Sequence, residues 1–176
     1  MIFKETPLKG AFEIEPEKKE DERGFFFRSW CVKEMSAYGL NTKIKQINSS
    51  FSLKKGTLRG LTYQTNPFPE TKLIRCIKGK IFDVIIDLRE ESSTKNQWFG
   101  TILSGENYKM LYIPENFAHG FITLEDNTEI NYFVTEFYHP EVEKGIRWDD
   151  PKFNIQWPIA PVIISDKDKN KPLFKS

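Results

Sequence analysis

Histidine is scarce in this chain of 176 residues, with only His119 and His139 present. A three-histidine metal site is therefore impossible within one chain, and hydrolytic zinc chemistry would need carboxylates to complete the ligand set. Cysteine is equally scarce, at Cys31 and Cys76, which points to a reduced, cytosolic protein with both thiols as small packing residues. No N-terminal apolar run resembles a signal peptide, and no segment nears the ~18 apolar residues of a membrane span. The expected location is the cytoplasm, with no membrane partner. Neither sign of charge is in excess: 26 Lys and Arg face 25 Asp and Glu, for a net charge of +1. That balance argues against a nucleic-acid partner or a membrane surface.

Aromatic side chains, by contrast, are plentiful, with 15 phenylalanines among them, as suits a β-rich core that packs ring on ring. Ten Gly and ten Pro are spread along the chain, and turn signals recur between short apolar runs. Strands are expected at 12–15, 25–30, 43–52, 57–64, 98–103, 108–113, 121–124 and 128–136. Thr71–Ile77 and Ile81–Leu88, joined by Lys78-Gly79, read as a hairpin, with Val84-Ile85-Ile86 in a central strand. Residues 114–120 read as a loop. Val32–Tyr38 is the best helix, ended by Gly39. There is no internal repeat. The expectation is a mainly β sandwich or barrel of the jelly-roll type, one domain over 1–176, with a tail from about residue 138 packing on the barrel.

The most informative stretch is Gly56-Thr-Leu-Arg-Gly-Leu-Thr-Tyr-Gln64. It places a cation (Arg59), a hydroxyl (Thr62), a phenol and an amide on one strand, and a core could not bury that mixture without partners. Two readings stand: a polar, ligand-holding wall inside a barrel, or an edge strand in water. Arg59 and Thr62 are three residues apart and face opposite sides of a regular strand. Both address one ligand only if Gly60 bulges the strand. Lys72, Ile74 and Cys76 share a face, so Lys72 is either an anion-holding group above an apolar interior or a snorkelling surface lysine. Tyr132, on one face with Ile130 and Val134, is either a proton donor or a core aromatic with a bonded hydroxyl. His119, between Phe117 and Phe121, is either functional or simply packed. Gln46 and Asn48 share a strand face, polar for a ligand or for water. Asp168 lies in a C-terminal turn.

Taken in order, Asp21-Glu-Arg-Gly-Phe-Phe-Phe27, Gln46-Ile-Asn-Ser49, Gly56-Thr-Leu-Arg-Gly-Leu61 with Tyr63-Gln64, and Lys72-Leu73 form the first half of a pattern. Asp83-Val84, Asp87-Leu-Arg89, Ile113-Pro114, Phe117-Ala-His-Gly-Phe121, Trp148-Asp-Asp-Pro151, Trp157-Pro158 and Ser165-Asp-Lys-Asp168 complete it. Over nearly its whole length the chain resembles the dTDP-4-dehydrorhamnose 3,5-epimerases, which act on NDP-4-keto-6-deoxyhexoses. The resemblance implies a double-stranded β-helix (a cupin-like jelly roll) with one or two short helices. It also implies a homodimer, a nucleotide-diphosphate sugar as partner, and neither metal nor organic cofactor. It gives Arg23, Gln46, Asn48, Arg59, His119 and Glu143 the holding of nucleotide and sugar. Lys72 would stabilise an enolate, Tyr132 would return a proton, and Asp168 would orient the catalytic base.

Three positions depart from the family. Thr62 stands where the family has its basic histidine. A hydroxyl accepts protons poorly near neutral pH, and loss of a positioned base forfeits on the order of 10²–10⁴ in rate. Arg28 stands where an acidic residue near the nucleotide is usual, a charge reversal that bears on nucleotide choice. Phe133 replaces a common lysine. The sequence thus implies an epimerase acting at C3, C5 or one of them with an altered proton-transfer set, Asp168 acting directly or through water beside Thr62. The alternatives are an impaired nucleotide-sugar-binding homologue, or a related ketoisomerase or dehydratase.

Overall fold

Over residues 1–174, which the computed structural model describes, the short apolar runs become fourteen strands and two short helices. The first strands are β1 (Ile2–Glu5), β2 (Phe12–Glu15), β3 (Lys19–Asp21), β4 (Gly24–Phe26) and β5 (Gln46–Ser52), with helix α1 (Val32–Ala37) between β4 and β5. Next come β6 (Thr57–Gln64), β7 (Lys72–Lys78), β8 (Lys80–Asp87), β9 (Trp98–Ser104) and β10 (Met110–Ile113). The chain continues with β11 (Phe117–Thr123), β12 (Thr128–Val134), β13 (Glu143–Gly145), β14 (Ile163–Ile164) and α2 (Asp166–Lys169). The expected extent to residue 176 passes beyond the described residues.

Two sheets form the body. One runs β1-β2-β10-β7-β12-β5, the other β13-β6-β11-β8-β9 with β14 parallel to β6. They face one another across a core in which Ile74, Cys76, Leu111 and Ile130 of the first meet Ile85, Leu103, Phe117 and Phe121 of the second. Alternate residues of the same strands point outward. Leu73, Met110 and Tyr112 pack under Met35 and Leu40 of the α1 region. Leu61, Val84, Ile86 and Ala118 pack under Ile146, Phe153, Trp157 and Phe174 of the C-terminal segment. This is the mainly β, cupin-like double-stranded β-helix that the resemblance implies. Cys76 is a packing residue, its thiol donating to the carbonyls of Lys78 and Gly79 and pushed up to about 11 by burial.

Four expectations change. The Lys78-Gly79 turn does not close a hairpin, because β7 pairs with β10 and β12 while β8 pairs with β11 and β9. The turn is a corner between sheets. Gly79 sits at φ 74°, and a Cβ there would lie 2.4 Å from Thr128 Oγ1, so only glycine fits. The aromatic strand ends early: β4 stops at Phe26, and the rings of Phe25 and Phe27 pack on Tyr108. The strand expected from residue 43 begins at Gln46. Residues 117–120, read as loop, belong to β11, which puts His119 on a buried strand.

Candidate active site

Strand β6 supplies one wall. Opposite β11, Arg59 pairs with Phe121 and Thr62 pairs with His119, so two residues of β6 face the single Gly120. This bulge turns Arg59 and Thr62 to the same side. Glycine is required on both strands, since a Cβ on Gly60 would lie 2.5 Å from Gly120 Cα and one on Gly120 would lie 2.7 Å from the Arg59 carbonyl oxygen. Strands β7, β12 and β5 supply the facing wall. There Val134 lies between Lys72 and Gln46, and Tyr132 lies between Ile74 and Asn48. Side chains directly across a ladder share a face, so Lys72, Tyr132, Gln46 and Asn48 all point inward.

Between the walls lie two connected hollows. The inner, of about 170 Å³, is lined by Arg59, Thr62, Lys72, His119 and Tyr132, with Phe121 and Ile130 closing it toward the core. The outer, of about 360 Å³, shares Thr62, Lys72 and Tyr132 and adds Gln46, Asn48, Glu70, Tyr138 and Glu143. The hollow meets the common description of a small-molecule site, an apolar floor with a few convergent polar groups.

Charge is distributed unevenly along it. Lys72 Nζ lies 2.9 Å from Glu70, both mostly buried. Arg59 donates to Ser52 Oγ at 3.3 Å and to the Phe51 carbonyl at 3.1 Å, and has no carboxylate partner among the described residues. Its charge is therefore open to an anion. Burial raises the Tyr132 phenol above its ordinary value, Arg59 opposes the rise, and Glu70 adds to it. His119 Nε2 lies 2.7 Å from Asp83, whose side chain is fully buried. Glu143 is paired with Lys167. Among the described residues no group of three His, Cys, Asp or Glu side chains is placed to hold a metal ion.

The chain thus brings together eight of the expected residues: Lys72, Tyr132, Thr62, His119, Arg59, Gln46, Asn48 and Glu143. Three stand apart. Asp168 sits beside β6 and lines neither hollow, accepting from Lys171 Nζ at 2.5 Å and from the Gly60 N–H at 3.4 Å. Arg23 lies on the β3–β4 hairpin, paired with Asp21. Arg28 pairs with Glu34 at 3.0 Å, and both line a separate hollow. Sequence reasoning passed over Glu70, Asp83 and Lys171. Glu70 sits two residues from Lys72 in a proline loop and reads as solvated. Asp83 acquires meaning only through His119 on β11, and Lys171 through its pairing with Asp168 three residues earlier.

The profile of the dTDP-4-dehydrorhamnose 3,5-epimerase family matches residues 5–176. A dTDP-4-dehydrorhamnose 3,5-epimerase of Methanothermobacter thermautotrophicus is 48% identical over 97% of this chain and 94% of its own. The crystal structure of dTDP-4-dehydrorhamnose 3,5-epimerase from Elizabethkingia anophelis superposes with a TM-score of 0.95 at 39% identity, covering 99% of this chain and 96% of that one. A dTDP-6-deoxy-D-glucose-3,5-epimerase from Legionella pneumophila, in complex with dTDP-4-keto-L-rhamnose, gives a TM-score of 0.90 at 40% identity, covering 98% and 92%.

Proposed function

From the premise that this chain belongs to the dTDP-4-dehydrorhamnose 3,5-epimerase family, we propose that it is a carbohydrate epimerase acting on a nucleotide-diphosphate 4-keto sugar. A ketone at C4 acidifies the hydrogens on C3 and C5, and removal of either leaves an enolate whose charge sits on the C4 oxygen. The Lys72 ammonium steadies that oxygen. Tyr132, with its phenol held protonated by burial, returns a proton from its own wall. The diphosphate lies against Arg59, and Gln46, Asn48 and Glu143 of the outer hollow meet the sugar and nucleotide. Asp168 acts from beside β6, holding the Gly60 N–H and Lys171 in place, rather than on the sugar.

The observation that carries this reading is the meeting of Lys72 and Tyr132 on one wall, across a single hollow from Arg59 and Thr62. Incubation with dTDP-, CDP-, GDP- and UDP-linked 4-keto-6-deoxyhexoses in D₂O tests it. Deuterium enters C3, C5 or both at rates above the protein-free reaction. No gain with any of the four overturns the reading. The labelled positions show which centres exchange, and a product mass raised only by the deuterium gained, with no loss of water, separates epimerisation from dehydration.

Thr62 favours one rival reading, a homologue that binds the sugar nucleotide without turning it over. Tight binding with no exchange would establish that rival. A homodimer belongs to the main proposal: Arg23 is 83% exposed at its side chain and Phe26 is 67% exposed, on the β3–β4 hairpin, which joins neither main sheet. A second copy would cover these residues. Sedimentation at micromolar concentration is expected to give twice the mass of one chain.

A further inference from the structure

The altered position 62 leaves open which group takes the proton from carbon. We propose that it is His119, acting through Nδ1 with Asp83 as its buried partner; the assignment rests on the epimerase reading above. The geometry is that of a general base already oriented. His119 Nε2 lies 2.7 Å from Asp83 Oδ1. A carboxylate only accepts, so Nε2 carries the proton and donates it, which fixes the tautomer with a lone pair on Nδ1. Nδ1 has no partner among the described residues and is not among the buried atoms lacking one. It therefore opens on the hollow that His119 lines.

Asp83 is fully buried, and its Oδ2 has no hydrogen-bond partner among the described residues. A carboxylate so enclosed is costly unless a cation appears beside it. The imidazolium formed when His119 takes a proton is that cation. The other candidates are worse placed. The Thr62 hydroxyl is a poor base, the Glu70 carboxylate is held by Lys72, and Asp168 lines neither hollow and is held by Lys171.

Position matters as much as basicity. His119 is the direct cross-strand partner of Thr62, with Cβ atoms about 5 Å apart on one face. The shorter Thr62 side chain leaves a sugar ring room to lean toward the imidazole. Tyr132 comes from the opposite sheet, so base and acid stand on opposite sides of the ring, as inversion demands. The step balances. The C3–H or C5–H bond breaks, its proton goes to Nδ1, and its electron pair moves onto the C4 oxygen, held by Lys72. The enolate then takes the phenol proton of Tyr132 on the other face. Imidazolium and phenolate recover their states by exchange with water.

The test uses the full chain and dTDP-4-keto-6-deoxyglucose in D₂O, with dTDP affinity measured by calorimetry. His119→Asn is expected to slow deuterium entry by about 10²–10⁴ while dTDP affinity stays within about threefold. His119→Ala is expected to regain exchange when imidazole is added, a recovery that loss of a merely structural residue would not show. Should these variants fail to fold, the His139→Asn protein has His119 as its single histidine. Its acylation by diethyl pyrocarbonate should abolish exchange, and hydroxylamine should restore it. Wild-type-like exchange in His119→Asn or in the acylated protein overturns the assignment and leaves the epimerase reading intact. No exchange in the wild type, with any of the four nucleotides, overturns the epimerase reading first and this assignment with it.

Discussion

Lys72 and Tyr132 are separated by 60 positions in the chain yet share one face of one sheet, Tyr132 pairing with Ile74 and Val134 with Lys72. Lys72→Met removes the charge that meets the enolate and leaves Glu70 unpaired. Exchange should fall by about 10²–10³, with a smaller change in the affinity for dTDP. Tyr132→Phe removes the returned proton, and turnover is expected to fall by about 10²–10⁴. A raised phenol also fixes a sign: Tyr132 stays protonated up to and beyond its ordinary value of 10.0. The pH–rate profile should therefore show no alkaline limb from this group below about pH 10. The inward face of Lys72 is legible from Lys72, Ile74 and Cys76 alternating. Asp83 was legible only as part of a motif, because its role depends on a histidine 36 residues later, and local pattern carries no such pairing.

Strand β6 shows what an element can and cannot announce. Its span, Thr57–Gln64, and the need for an irregularity at Gly60 follow from the conflict between two polar residues three apart. The partner strand does not, and the expected loop at 114–120 hid the fact that Gly120 faces the bulge. Gly60→Ala puts a methyl 2.5 Å from Gly120 Cα at φ 105°. The expected cost is about 2–4 kcal/mol of stability, read as a lowered denaturation midpoint. Any folded fraction should bind dTDP more weakly, because Arg59 and Thr62 no longer share a side. The same limit explains the misread corner at Gly79. Period-2 alternation tells which way a side chain points, not which strand lies beside it.

At the scale of the whole molecule, the jelly roll was legible from many short strands and little helix, and the family pattern sharpened it to a double-stranded β-helix. The assignment of strands to two sheets was not, since it depends on pairings far apart in the chain. Acid sensitivity belongs to this scale as well. Asp87 is buried, and burial alone would raise its carboxyl. Hydrogen bonds from Arg89, Ser92 and Thr94 outweigh that and hold it at about 2, below its ordinary 3.8. A depressed carboxyl stabilises the fold above the unfolded value. That contribution, about 2 kcal/mol, is lost as pH falls from about 4 to about 2. Asp87→Asn should destabilise the protein at neutral pH and flatten the fall in denaturation midpoint over that window.

Ile130 and Phe121 belong at once to the packing between the sheets and to the floor of the hollow. The span from phenol to imidazole therefore has no strut of its own; it is gauged by hydrocarbon wedged beneath it. Slimming that wedge, as in Ile130→Val, should cost about 0.5–1.5 kcal/mol of stability and also detune the reach across the gap. Hydrostatic compression, by narrowing the same gap, should alter turnover well before it unfolds the chain.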